Sequence, residues 1–142
     1  MKVVSAMEES SEPDSPAPTV LIVDDNEPTA AALAKILGNA SFNTAVSYRG
    51  ADAVAYAQKN PVSAAVVDIH LPDLSGLVVT QKLREHLGPA TPIVILSGDT
   101  SMEMLNALPH VGATYFFSKP VNSSQLVEKM REWVSAANGH GE

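Results

Sequence analysis

The chain has 142 residues, 45% of them hydrophobic, which is enough for one globular domain with a sizeable core and too few for a second. Its apolar residues fall in short runs, far from the ~20 needed to span a bilayer, and no N-terminal apolar stretch is long enough for a secretory signal. The net charge of -7 argues against nucleic acid as a partner, because that affinity comes from Lys and Arg neutralising phosphates, and the lack of cysteine removes disulfides and thiolate metal sites and points to the cytoplasm.

Residues 1–18 read MKVVSAMEESSEPDSPAP, with Glu8, Glu9, Glu12 and Asp14 against one Lys2 and no aromatic side chain. Such a segment buries too little apolar surface to offset its ordering entropy, so it is predicted to be a disordered leader. From Thr19 onward, apolar runs of strand length alternate with longer segments of helical period, five times over. The first strand is predicted at Val20–Val23, followed by a helix that starts with Pro28 at its first position, ends at Gly38 and buries Ala30, Leu33 and Leu37. A second strand at Thr44–Val46 leads into an alanine-rich helix over Gly50–Lys59 that stops before Pro61. The third strand, Ala64–Val67, precedes a helix over Gly76–Leu87 that breaks at Gly88-Pro89. A fourth strand at Ile93–Leu96 is followed by a short helix from Ser101 that should end before Pro109. The fifth strand is expected at Thr114–Phe117, and a last helix from Ser123 aligns Leu126, Met130, Trp133 and Ala137, flanked by Val127 and Val134. The folded domain is thus expected to span 19–137, with 138–142 as a flexible tail and no output domain after it. This alternation is the pattern of an α/β, doubly wound, five-stranded parallel sheet.

In such sheets the functional crevice lies beyond the carboxyl ends of the strands. Asp24 and Asp25 end the first strand, Asp68 the third, Ser97 the fourth and Lys119 the fifth. Each has an ordinary explanation alone: a helix-dipole partner, a turn residue, a cap or a solvated lysine. Together they need another. Three carboxylates in one crevice repel one another and call for a cation. Oxygen ligands suit a hard octahedral ion such as Mg²⁺ better than zinc. A divalent cation and the Lys119 ammonium could in turn neutralise a phosphoryl group delivered to a carboxylate nucleophile.

The order Asp-Asp, Asp, Ser, Lys-Pro at successive strand ends, with Pro72 and Gly76 four and eight residues past Asp68, closely resembles the receiver domains of two-component response regulators. The resemblance covers roughly 19–134. It implies a flavodoxin-like (CheY-like) sheet of strand order 2-1-3-4-5. It also implies a single-domain phosphorelay protein that catalyses only its own aspartyl phosphorylation and dephosphorylation. Asp68 would accept the phosphoryl group from a histidine kinase or histidine phosphotransfer protein. Asp25 and Asp68 would ligate Mg²⁺ directly, Asp24 through water, and His70 through its backbone carbonyl. Ser97 and Lys119 would hold phosphoryl oxygens, and Lys119-Pro120 would be a cis peptide. Ser97 and Phe116 would form the switch; His70 and Asp99, with Gly98 leaving the pocket open, would tune the lifetime of the phosphorylated state. The face made by the fourth helix, fifth strand and fifth helix would bind a downstream protein or a second copy. The alternative is a receiver-like scaffold that signals without phosphate. A haloacid dehalogenase-type phosphatase would need Asp-x-Asp on the first strand, and a flavin binder a phosphate loop where this chain has DDNEP.

Overall fold

The computed structural model describes residues 17–98 and 101–139, so most of the leader, the last three residues and Asp99 lie outside the described residues. The elements follow in the order β1 (Thr19–Val23), α1 (Glu27–Asn39), β2 (Asn43–Ser47), α2 (Gly50–Lys59), β3 (Ala64–Asp68), α3 (Gly76–Leu87), β4 (Ile93–Ser97), α4 (Met102–Val111), β5 (Tyr115–Ser118) and α5 (Ser123–Gly139). All strand pairings are parallel and the sheet order is β2-β1-β3-β4-β5, as expected.

Period-two alternation divides the core into two layers. Val20 and Ile22, Ala64 and Val66, and Val94 and Leu96 pack with Leu33 and Leu37 of α1 and Leu126 and Met130 of α5. The intervening Leu21, Val23, Ala65, Val67 and Ile93 meet Ala53 of α2 and Val79 and Leu83 of α3. β3 and β4 are buried at every position, as strands covered on both faces must be. A third cluster, Ile69, Ile95 and Met104, seats α4.

Local chemistry sets the helix ends. Asn26 caps α1 by accepting from the Thr29 amide at 2.9 Å, so the helix begins at Glu27 and Pro28 takes its second position, one residue further in than the sequence predicted. Ser75 caps α3 through the Leu77 amide at 3.1 Å. α4 departs most from expectation, because it continues through Pro109 to Val111. Pro109 falls in the final turn, where its missing amide removes one bond, and Gly112 (φ 86°) closes the helix while the Ala113 amide donates to the Leu108 carbonyl at 3.2 Å. On α5 the buried seam is Leu126, Met130 and Val134. Val134 is therefore core and not flanking. Trp133 lies at the rim, its ring centroid 5.1 Å from that of Tyr115. The helix continues through Gly139, two residues past the expected domain end at Ala137. No helix among the described residues is long and apolar enough to cross a membrane.

At the edge where the strands begin, Arg84 ties three connections together. Its Nη1 donates to the carbonyls of Gly88 and Thr91, both at 2.6 Å, and its Nε and Nη2 donate to that of Gly112 at 3.0 and 2.6 Å. Burial pushes the guanidinium pKa down, and its several donors are spread over three backbone carbonyls, with no carboxylate among these bonds.

Candidate functional site

The opposite edge, where the strands end, gathers the acids. β1 runs straight into Asp24, which is 1% exposed, and β3 ends on Asp68, 5% exposed. Asp25 follows Asp24 and faces solvent. One carboxylate oxygen from each of Asp24, Asp25 and Asp68 lies within 4.8 Å of the other two. Lys119 follows β5, and its Nζ stands 3.2 Å from Asp68 Oδ1. The peptide bond that follows, Lys119-Pro120, is cis.

The acidic cluster is short of donors. Asp24 Oδ1 accepts from the Asn26 amide at 2.9 Å, but Asp24 Oδ2 is buried with no hydrogen-bond partner. Burial raises the Asp24 pKa above the ordinary aspartate value; the Asn26 amide opposes that, Asp68 adds to it, Lys119 lowers it and Asp25 raises it. A buried carboxylate oxygen without a partner, beside two further carboxylates, is an arrangement that a hard divalent cation with oxygen ligands would complete. The donor set therefore fits Mg²⁺.

Ser97 is fully buried at the end of β4, where it pairs in register with Ser118. The Lys119 amide donates to its carbonyl at 2.9 Å, which joins the ends of β4 and β5 directly beside the ammonium. Gly98 is exposed, and a Cβ there would meet nothing within 4 Å, so the rim beside Ser97 is open. His70 is exposed on the β3–α3 turn, and its amide points at Asp68 Oδ1 from 3.5 Å. Phe116 is half-buried against the cluster of Ile69, Ile95 and Met104, on the sheet face opposite Phe117. The structure thus brings Asp24, Asp25, Asp68 and Lys119 together, with Ser97 and His70 on the adjoining strand end and turn.

The packing explains two features of this edge for which sequence inspection offers no reason. Gly76 is one: a Cβ there would stand 2.4 Å from the Asp68 carbonyl oxygen and 2.6 Å from Ile69 Cα, so only glycine lets α3 start against the end of β3. Asp73 is the other. Its two carboxylate oxygens accept from the amides of Gly50 and Ala51 at 2.8 and 3.0 Å, capping α2 from across the molecule. The available signal was negative: α2 begins after Arg49, which offers no capping oxygen.

Fold and site together define a doubly wound α/β domain with an acidic, cation-accepting crevice at the strand ends and a lysine poised over one carboxylate. The response regulator receiver domain family matches residues 20–131, and the chain belongs to that family. It is 35% identical over 112 residues to the photosynthetic apparatus regulatory protein RegA of Cereibacter sphaeroides, covering 79% of this chain and 60% of that protein. The chain thus spans about three fifths of the length of the RegA relatives it matches. Among solved structures, a CheY-like receiver domain protein from Methanospirillum hungatei superposes with a TM-score of 0.81 at 26% identity, covering 85% of this chain and 96% of that one. A response regulator protein from Burkholderia pseudomallei, solved with a phosphorylated aspartic acid, a calcium ion and citrate, gives 0.74 at 26% identity over 84% of this chain and 69% of its own.

Proposed function

We propose that the chain is the phosphoacceptor of a two-component relay, with Asp68 as the residue modified. The observation that carries this reading is the setting of Asp68: nearly buried, 3.2 Å from the Lys119 ammonium and within one cation's reach of Asp24 and Asp25. An Asp68 oxygen would attack the phosphorus of a phosphohistidine on a sensor kinase or phosphotransfer protein. The phosphorus–nitrogen bond would break, and the imidazole nitrogen would keep the bonding electron pair. Lys119 neutralises a phosphoryl oxygen, and the Ser97 hydroxyl donates to another. Asp25, Asp68 and the His70 carbonyl would hold Mg²⁺, with Asp24 acting through water, and the ion would supply positive charge that stabilises the phosphoryl oxygens. The phosphorylated aspartate and divalent cation in the Burkholderia pseudomallei relative support the same chemistry here.

Output would follow from the same site. Inward movement of Ser97 toward a phosphoryl oxygen would free space that Phe116, half-buried beside Ile95 and Met104, could enter, changing the face of α4, β5 and α5 offered to a target protein or a second copy. His70 and Gly98, both exposed beside Asp68 and Ser97, would tune the lifetime of the acylphosphate by governing the access of water; Asp99, outside the described residues, is assigned the same role on the family resemblance alone. The chain would act in the cytoplasm and turn over no external substrate. A phosphate-independent scaffold has no observation in its favour, since the three acids and the lysine stand together.

The deciding experiment incubates the protein with Mg²⁺ and a small acyl phosphate, or with beryllofluoride, and follows modification or binding by mass spectrometry and fluorine NMR. Labelling that Asp68→Asn abolishes is expected. Equal labelling of Asp68→Asn, or none of the wild type, overturns the assignment.

A further inference from the structure

The turn that carries the acceptor's neighbour is closed on itself and then tethered. The Gly76 amide donates to the Ile69 carbonyl at 2.8 Å, and His70 and Ser75 form an isolated antiparallel bridge, so residues 69–76 make a narrow loop rooted on Asp68. Asp73 sits toward its tip. Its carboxylate reaches 23 residues back along the chain to the Gly50 amide at 2.8 Å and takes the Ala51 amide at 3.0 Å with its second oxygen. α2 has no side-chain cap of its own, since Arg49 makes no such bond, so Asp73 is the group that satisfies these amides. Gly50 is also wedged sterically: a Cβ there would stand 2.5 Å from Val79 Cγ2 and 3.3 Å from Leu74. The amides of Ala51 and Gly50 hold the Asp73 carboxyl below the usual aspartate range, so it is ionised at neutral pH and meets the positive end of α2 as a full charge.

The geometry points to Asp73 as a positioning residue for the phosphoacceptor centre: by fastening the β3–α3 turn to α2, it presets Asp68 and the His70 carbonyl for the cation. This rests on the phosphoacceptor reading above, and deepens it. The physical reason is that a ligand carbonyl on a loop binds a metal well only if the loop does not have to be ordered at the moment of binding. His70 itself is exposed, held among the described residues only by its bridge to Ser75 and its amide toward Asp68 Oδ1. The restraint comes from the ends of its loop and from Asp73. Outer groups that orient metal ligands typically change affinity by about 10- to 100-fold when removed, and Asp73, one step further out than a ligand's own partner, belongs near the lower figure.

The test compares wild type, Asp73→Ala, Asp73→Asn and Asp68→Asn. In the metal-free state, amide exchange at Gly50 and Ala51 should rise strongly in Asp73→Ala and less in Asp73→Asn, which keeps one accepting oxygen. Mg²⁺ titration, read by the amide shifts of Ile69 to Ser75, should give a Kd about 10-fold higher for Asp73→Ala and an intermediate one for Asp73→Asn. With acetyl phosphate as donor, the Mg²⁺ concentration for half-maximal rate should move by the same factor while the rate at saturating Mg²⁺ stays near wild type. A cap with a purely structural role would lower the melting temperature and leave the Mg²⁺ Kd unchanged. That result, with wild type binding Mg²⁺ and Asp68→Asn not binding it, overturns this inference alone. Failure of the wild type to bind Mg²⁺ overturns the phosphoacceptor reading and the inference with it. Should Asp73→Ala fail to fold, Asp73→Asn decides, and an unchanged Kd in that variant with exposed Gly50 and Ala51 amides counts against the role.

Discussion

Glycine to alanine is the smallest change that adds a side chain, and this fold gives it opposite signs at two positions. At Gly76 the new Cβ would lie 2.4 Å from the Asp68 carbonyl oxygen, 2.6 Å from Ile69 Cα and 3.0 Å from the Asp68 carbonyl carbon. Carbon–oxygen contacts normally stop near ~3.3 Å and carbon–carbon contacts near ~3.5 Å, so the first turn of α3 and the end of β3 must separate by about 0.9 Å. All three obstacles are backbone, which no rotamer change can relieve. Overpacking of this kind costs about 1–3 kcal/mol, and the upper end applies here. For a domain of this size that is a fall in Tm of roughly 10 °C. The same displacement moves the backbone of Asp68 itself, and misplacement near an ångström costs on the order of 100-fold in rate. At Gly38, by contrast, a Cβ meets nothing within 4 Å and φ lies outside the left-handed region. Alanine there should add about 0.5 kcal/mol through helix propensity and raise Tm by roughly 2 °C. Thermal unfolding by circular dichroism and the rate of acetyl phosphate-dependent labelling measure both. If Gly76→Ala melts like the wild type and is labelled at its rate, the steric argument for how α3 abuts the acceptor is wrong.

Two further outcomes follow from the opposite ends of the sheet. Because burial and neighbouring carboxylates raise the Asp24 pKa, the metal-free fold binds its proton more tightly than the unfolded chain does; the stabilisation is complete below the ordinary value of 3.8 and is lost as pH rises through the raised one. Asp24→Asn should therefore be more stable than wild type in EDTA at neutral pH, with a flatter stability curve above pH 3.8. Mg²⁺ at about 100 times its Kd should stabilise the wild type by about 2.7 kcal/mol, and the same concentration should stabilise Asp24→Asn less; chemical denaturation with and without Mg²⁺ checks this, and a less stable Asp24→Asn in EDTA would contradict it. Arg84→Lys should lose about 2 kcal/mol, because one ammonium cannot serve the carbonyls of Gly88, Thr91 and Gly112 at once. Its Mg²⁺ Kd should match wild type, since Arg84 lies at the far edge of the sheet.

What the sequence made legible was whatever repeats locally or sits at a strand end. β3 and β4 announce themselves as unbroken apolar runs, and Asp24, Asp68 and Lys119 follow from where such runs stop. Pro109 misled because a proline normally ends a helix before itself; only the closing bond from Ala113 to Leu108 shows that α4 had already reached its last turn. Trp133 looked like core because its spacing aligns it with Leu126 and Met130, yet its pairing with Tyr115 at the rim depends on β5 being an edge strand, a tertiary fact. The hold of Asp73 on α2 spans 23 residues, and no local pattern encodes a partner at that distance. Gly76 was noticed as part of a motif, but the reason for it, the 2.4 Å approach to Asp68, belongs to the packing.

The tie made by Arg84 has a consequence for how the domain can vary. One cation joins the exits of α3 and α4 to the approaches of β4 and β5 mainly through backbone carbonyls, a closure that relies on glycine at Gly88 and Gly112, where φ is 85° and 86°, and takes from Thr91 only its backbone oxygen. The frame is thus locked from the end remote from the acids. Loops at the reactive end, apart from Asp73 and Gly76 that fix the starts of α2 and α3, are thereby freer to change for a new partner or a new reaction lifetime while the fold stays anchored behind them.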